Sequence, residues 1–172
     1  MASPVSTAVL KAVPLFASIP EDQLRLLAMV VTRKSAPRST TIMAGGDPTD
    51  SLYIVLSGRL KVMMSDAEGK EVILTILGPG EFFGEMGLID DEPRSASVVT
   101  LESCELLSIS KRDFRKCLAE NFEMSMAVMR GLVRRLRVAD RKIGSLALLD
   151  VYRRVSRVLL GMAETVDTVV VV

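Results

Sequence analysis

Between Ser39 and Ile109 apolar side chains tend to recur at every second residue, and beyond Ile109 they recur at every third and fourth. That change of period restricts the chain to strands followed by helix, because a stripe with a period of two scatters around a helix instead of lining one face. The readable strands are Thr41-Ile42-Met43, Leu52 to Leu56, Leu60 to Met63, Val72 to Leu77, Ala96 to Val99 and Glu105 to Ile109. Turn signals part them, namely Gly45-Gly46-Asp47-Pro48, Ser57-Gly58, Ser65-Asp66-Ala67-Glu68-Gly69 and Gly78-Pro79-Gly80. Short strands with regular glycine turns predict an antiparallel fold that closes on itself or forms two sheets. The expected class is mainly β with α, a double-stranded β-helix (jelly-roll) barrel followed by a long helix.

Ahead of the strands, Val9 to Phe16 has mixed helical character. Pro20, Glu21 and Asp22 then open a helix with Leu24, Leu27 and Val31 on its apolar face. Behind the strands a helix is expected over Lys111 to Glu120 and a long one from about Asn121 to Leu149. In the long helix Met129, Leu132, Leu136, Ala139, Ile143 and Leu146 fall in steps of three and four, the seam of a coiled coil. A parallel homodimer through residues 121–149 is the natural use of that seam; the alternative is packing on the chain's own barrel. The flanking Arg130, Arg134, Arg135, Arg137 and Arg141 read mainly as a solvated face. Asp150 is expected to cap a further helix over Val151 to Met162. The final Thr168 to Val172 is an apolar run that suggests a truncated or artificial end.

The charge balance, 22 basic against 21 acidic side chains, gives the molecule as a whole no field for wrapping nucleic acid. The chain contains no histidine, which excludes histidine catalysis and histidine ligation of metal or haem. Cys104 and Cys117 lack metal-ligand spacing and read as reduced packing residues. No apolar run reaches the roughly 18 residues of a membrane span, so the expectation is a soluble, cytoplasmic protein without a membrane partner.

One stretch carries chemistry: Gly80-Glu81-Phe82-Phe83-Gly84-Glu85-Met86-Gly87-Leu88, followed by Pro93-Arg94-Ser95-Ala96-Ser97. It sets an acid, a base suited to phosphate and close-approach glycines within a short span. Arg94 offers a planar fork for two anionic oxygens, Ser95 a hydroxyl donor, and Glu85, acceptor-only when ionised, suits a ribose hydroxyl. Backbone N–H groups around Gly84 can also face a phosphate, since no side chain keeps the main chain away. The plainer reading is a salt bridge between Glu85 and Arg94 across a barrel corner, with the glycines serving turns.

The order Phe-Gly-Glu-Met-Gly-Leu and then Pro-Arg-Ser-Ala-Ser, between strands and ahead of a long helix, resembles the phosphate-binding cassette of cyclic-nucleotide-binding domains. The likeness is specifically to the bacterial cAMP receptor protein and fumarate-nitrate regulator (Crp/Fnr) transcription factors, and it covers nearly all of residues 12 to 162. The resemblance implies that Gly84, Glu85, Met86, Arg94 and Ser95 form the cassette, that Val62, Leu74 and Ala96 line the pocket, and that Arg135 reaches the ribose and Glu85 from the long helix. It also implies a division into a cyclic-nucleotide-binding barrel with flanking helices over 1–120, a dimerisation helix over 121–149, and the start of a truncated DNA-binding domain over 150–172. Ile143 to Val151 looks like the family's hinge into that domain. DNA would be reached only through a helix-turn-helix that this chain lacks.

The chain departs from the family pattern where two adjacent hydroxyl residues read adenine; Ala139 and Asp140 stand there. A carboxylate can pair with the guanine edge, so cGMP and cyclic di-GMP stay open beside cAMP, while an ion pair of Asp140 with Arg137 or Arg141 is the plain alternative. The expected function is the effector-sensing and dimerisation part of a Crp/Fnr-type regulator. A ligand-free dimeric scaffold, or a sensor of an unrelated effector, is the second reading. Catalysis is the weakest, because no nucleophile and base stand at readable spacing, and neither catalytic nor metal-binding residues are expected.

Overall fold

The computed structural model describes residues 5–66 and 68–148, together with residue 156. The helix expected over Val151 to Met162, its Asp150 cap and the valine tail fall outside the described residues. The chain forms two compact units, Met1–Val128 and Met129–Val172.

The first unit opens with α1 (Thr7–Lys11), where the Ser6 hydroxyl accepts from the Val9 N–H, and a single 3-10 turn at Pro14–Phe16. Helix α2 (Glu21–Val30) begins directly after Pro20 with two acids in its first turn and buries Leu24 and Leu27, as the sequence predicts. Eight strands follow: β1 (Thr32–Ala36), β2 (Thr41–Met43), β3 (Ser51–Ser57), β4 (Leu60–Ser65), β5 (Glu71–Leu77), β6 (Phe82–Phe83), β7 (Ser97–Thr100) and β8 (Cys104–Ser110). They make two four-stranded antiparallel sheets, ordered β1-β8-β3-β6 and β2-β7-β4-β5. The core lies between them: Tyr53, Val55, Phe83 and Leu106 from the first sheet meet Met43, Leu60, Leu77 and Val98 from the second. This is the expected jelly-roll arrangement, in which two sheets bury one face each.

Two strands are additions to the sequence reading. Strand β1 has only Ala36 buried and exists because its backbone pairs with β8 from Thr32 opposite Ser108 to Ala36 opposite Cys104. Strand β6 is only two residues long, and both are buried phenylalanines. After β6 comes the short helix α3 (Met86–Asp90). Helix α4 (Lys111–Glu120) starts at Ser110, whose hydroxyl accepts from the Asp113 N–H at 3.2 Å and donates to its carboxylate at 2.6 Å, a reciprocal cap of the kind that fixes a helix start. Helix α5 (Phe122–Leu148) begins where the Asn121 side-chain oxygen accepts from the Met124 N–H at 2.8 Å.

The second unit contains α5 from Met129 onward. Several of its apolar residues are exposed in the single chain: Leu136 is 61%, Ile143 64% and Leu146 67% exposed. Among the described residues no helix is long and apolar enough to cross a membrane.

Candidate functional site

Strand β6 anchors the cassette. Phe82 and Phe83 pair with Ile54 and Tyr53 of β3, and the Phe83 ring stacks on Tyr53 with centroids 5.4 Å apart. The chain then leaves the sheet at Gly84, where φ is +83°, and enters α3 through Glu85. The Glu85 residue is only 2% exposed, and its carbonyl accepts from the N–H groups of Leu88 and Ile89, each at 3.1 Å.

Arg94 is the second buried charge of the region, with a side chain 4% exposed. Its main chain is laced to the loop between β2 and β3: Arg94 N–H donates to the Asp47 carbonyl at 2.9 Å, and Gly46 N–H donates to the Arg94 carbonyl at 2.8 Å. Its guanidinium has three acceptors. Nη1 donates to the Gly84 carbonyl at 2.8 Å, while Nη2 donates to the Ser51 carbonyl at 2.7 Å and to Asp50 Oδ1 at 3.2 Å. Burying a guanidinium demands such partners, because an unpaired charge in the interior is strongly unfavourable.

The remaining sequence candidates fall into separate places. Met86 and Ser95 are exposed, and the Ser95 hydroxyl approaches Met86 Sδ at 3.5 Å. Val62, Leu74 and Ala96 belong to the second sheet or its edge. Val62 is half-buried against the core and pairs with Thr75 and Val98. Leu74 is the extra residue where the β4–β5 register shifts, since Val62 faces Thr75 and Met63 faces Ile73; such a bulge re-aims a side chain relative to the plain alternation. Ala96 is half-buried just ahead of β7. Arg135, Ala139 and Asp140 lie on α5 within the second unit, Arg135 half-buried and the other two exposed.

The space around Gly84 shows why glycine stands at that position. A Cβ there would lie 2.4 Å from Arg94 Nη1, 2.8 Å from Met43 Cε and 3.2 Å from the Ser51 carbonyl oxygen. The absent side chain is what lets main chain and guanidinium meet. Gly87 is packed as closely, with the Glu92 carbonyl oxygen 2.2 Å and Thr49 Oγ1 2.3 Å from the position its Cβ would take. A buried arginine fork beside bare main chain, next to a buried carboxylate, fits the anionic and hydroxyl groups of a ribose phosphate.

A second polar cluster ties this cassette to α4. Asp91, at φ 65° just after α3, pairs with Lys111 Nζ at 2.6 Å and Arg115 Nη2 at 2.9 Å, and Arg115 Nε donates to the Leu88 carbonyl at 2.7 Å. The hydrogen bonds from Lys111 and then Arg115 lower the Asp91 carboxyl to about 2. Both cysteines are free thiols, and burial pushes each above its ordinary value.

Asp50, Ser51 and Met43 are the contributors that the sequence reading missed. They stand more than 40 residues from their partners in the cassette, and no local pattern marks them.

A profile of the cyclic nucleotide-binding domain family matches residues 33–121. The chain is 37% identical over 132 residues to the cAMP-activated global transcriptional regulator CRP of Salmonella typhimurium, a match covering 76% of this chain and 63% of that protein. The catabolite activator protein of Thermus thermophilus superposes with a TM-score of 0.68 at 34% identity, covering 78% of this chain and 63% of that one. The c-di-GMP responsive global regulator CLP of Xanthomonas campestris superposes with a TM-score of 0.71 at 30% identity, covering 81% and 70%. The chain thus spans 63% of the length of the Salmonella relative.

Proposed function

The chain belongs to the Crp/Fnr-type cyclic nucleotide-binding domain family, and on that premise we propose that it is the effector-sensing and dimerisation part of a cytoplasmic transcription regulator. The observation that carries the reading is the Arg94 guanidinium, 4% exposed and held at the bare main chain of Gly84. On this reading Arg94 presents its fork to the exocyclic oxygens of a cyclic nucleotide, Glu85 accepts from the ribose hydroxyl, and Ser95 donates to the phosphate. Met86 and Ala96 flank the cassette, and Val62 and Leu74 face the base and sugar. The module is non-catalytic, a role in keeping with relatives whose names are those of regulators.

Residues 1–120 then act as the sensor, 121–149 as the dimerisation helix and 150–172 as the start of the DNA-directed part, so that DNA is bound through that part and not by the barrel. Coupling requires the effector to prefer one dimer arrangement, by roughly 1 to 3 kcal/mol in systems of this kind. Effector identity turns on α5. Relatives named as cAMP-activated regulators make cAMP the first candidate, whereas Ala139 and Asp140 offer no hydroxyl to adenine and the carboxylate of Asp140 suits a guanine edge, which keeps cGMP and cyclic di-GMP open. The likeness to a c-di-GMP responsive regulator supports keeping the guanine effectors in the comparison.

Calorimetric titration of the purified protein with cAMP, cGMP and cyclic di-GMP in parallel tests the reading. One of the three is expected to bind at micromolar concentration, and Arg94→Ala to weaken that binding by about 2 to 5 kcal/mol, the range for removing one partner of a buried charge pair. Unchanged affinity in Arg94→Ala overturns the site, and no heat from any of the three overturns the sensor function in favour of a ligand-free scaffold or another effector.

A further inference from the structure

The three acceptors on Arg94 differ in kind. The carbonyls of Gly84 and Ser51 are neutral and fixed, one at the end of β6 and the other at the start of β3. The third, Asp50, is charged, and its side chain is 79% exposed. A strand carbonyl cannot leave the guanidinium unless the sheet moves, whereas an exposed carboxylate leaves by rotating into water. Asp50 is free to do so without unseating the loop, because its main-chain carbonyl is held separately by the Lys111 N–H at 2.7 Å. Its Oδ1 also accepts from the Ser51 hydroxyl at 2.9 Å, which biases the carboxylate toward the arginine.

We propose that Asp50 is an internal counter-anion that holds the position on the Arg94 fork taken by an anionic ligand oxygen, and so sets the affinity of the site. This rests on the reading of the cassette as a phosphate site given above. Both hydrogens of Nη2 are in use, one on Ser51 and one on Asp50, so an oxygen approaching that nitrogen competes with the carboxylate. The exchange of one anion for another keeps the buried cation neutralised throughout, which avoids the large penalty of an unpaired interior charge. The ligand therefore gains only the difference between its own pairing and that of Asp50. Asp50 acts through Arg94 and is a positioning residue, not a ligand contact.

The prediction is opposite in sign to that for a structural salt bridge. Asp50→Asn keeps the shape and an acceptor oxygen but removes the competing charge, and it should tighten cyclic-nucleotide binding by about three- to tenfold, given the modest strength of a pair with one exposed partner. Asp50→Glu restores a competing carboxylate and should bring affinity back toward that of the parent protein. Asp47→Asn removes another exposed neighbouring charge whose side chain does not meet Arg94, and it controls for the general rise in local potential.

Calorimetry with cAMP, cGMP and cyclic di-GMP on the parent chain and these variants, beside thermal melts of each without ligand, decides the matter. Tighter binding in Asp50→Asn alone, with an unshifted melt, supports the proposal. Equal or weaker binding in Asp50→Asn, or an equal gain in Asp47→Asn, overturns it while binding by the parent chain leaves the sensor function standing. If no nucleotide binds the parent chain or any variant, the phosphate-site reading fails and the proposal falls with it.

Discussion

Gly84 bears two constraints at once, a left-handed backbone at φ +83° and a space that Arg94 and Met43 already fill. An alanine there carries the backbone strain of about 1 to 2 kcal/mol, and its Cβ must also displace Nη1 from the carbonyl it bonds. Gly46 separates the two effects, because its φ is +87° yet nothing lies within 4 Å of its would-be Cβ. Gly84→Ala is expected to lower stability in urea by about 2 to 4 kcal/mol, combining strain with a lost charge-assisted hydrogen bond, whereas Gly46→Ala should stay near the strain alone. Equal losses in the two variants refute the close approach as the reason for glycine at 84. The residue scale is also where the sequence was most informative about the site: Gly84, Glu85 and Arg94 stand out because the motif places them within ten positions of one another. Asp50 and Ser51 do not stand out, since a hydrogen bond that spans more than 40 residues of chain leaves no periodic trace in either segment.

At the scale of elements, α3 and α4 are joined by Asp91, Lys111 and Arg115, and the joint has a pH signature. The Asp91 carboxyl is lowered from 3.8 to about 2, by Lys111 first and Arg115 second. A depressed carboxylate contributes stability that is fully present above its unfolded value and is lost as pH falls through its folded value. The difference in denaturation midpoint between the parent chain and Asp91→Asn should therefore be flat above about pH 5 and close between about pH 4 and pH 2. It should also shrink in high salt, since Asp91 is exposed. A difference that is undiminished at pH 2 means the joint is not ionic. Elements were legible in proportion to how far their own side chains decide them. Helix α4 lies where its cap and apolar spacing put it, and β3, β4 and β8 match their alternating or continuous apolar runs to within a residue or two. Strand β1, Thr-Arg-Lys-Ser-Ala, carries no apolar stripe and is created by pairing with β8, and β6 is too short to show a period. In β5 the sequence yields a strand but not its environment: Val72, Ile73 and Ile76 are more than half exposed.

At the scale of the whole molecule, the exposed apolar residues of α5 from Met129 onward raise the question of what covers them. Leu136, Ile143 and Leu146 are each more than 60% exposed in the single chain, and they belong to the same three-and-four stepped seam as Met129 and Leu132. Burying such a side chain is worth about 1.5 to 3 kcal/mol. A second copy presents an identical seam, so two-fold pairing buries every one of these residues twice with no new sequence. The protein is expected to sediment as a dimer at micromolar concentration. Ile143→Glu places a carboxylate in the seam of each copy, and at about 3 to 5 kcal/mol per unpaired buried charge the dimer should weaken by more than about 100-fold. Arg94→Ala, within the barrel, should leave the ligand-free dimer intact. If ligand and seam are coupled, each nucleotide bound must tighten the dimer by the same factor by which dimerisation tightens that nucleotide, because binding free energies around a closed cycle sum to zero. Sedimentation with and without nucleotide measures one side of that cycle, and titration of Ile143→Glu measures the other. A parent chain that stays monomeric at tens of micromolar refutes the seam. A dimer whose nucleotide affinity survives Ile143→Glu unchanged refutes only the coupling, and would mean that the sensor and the helix serve separate purposes.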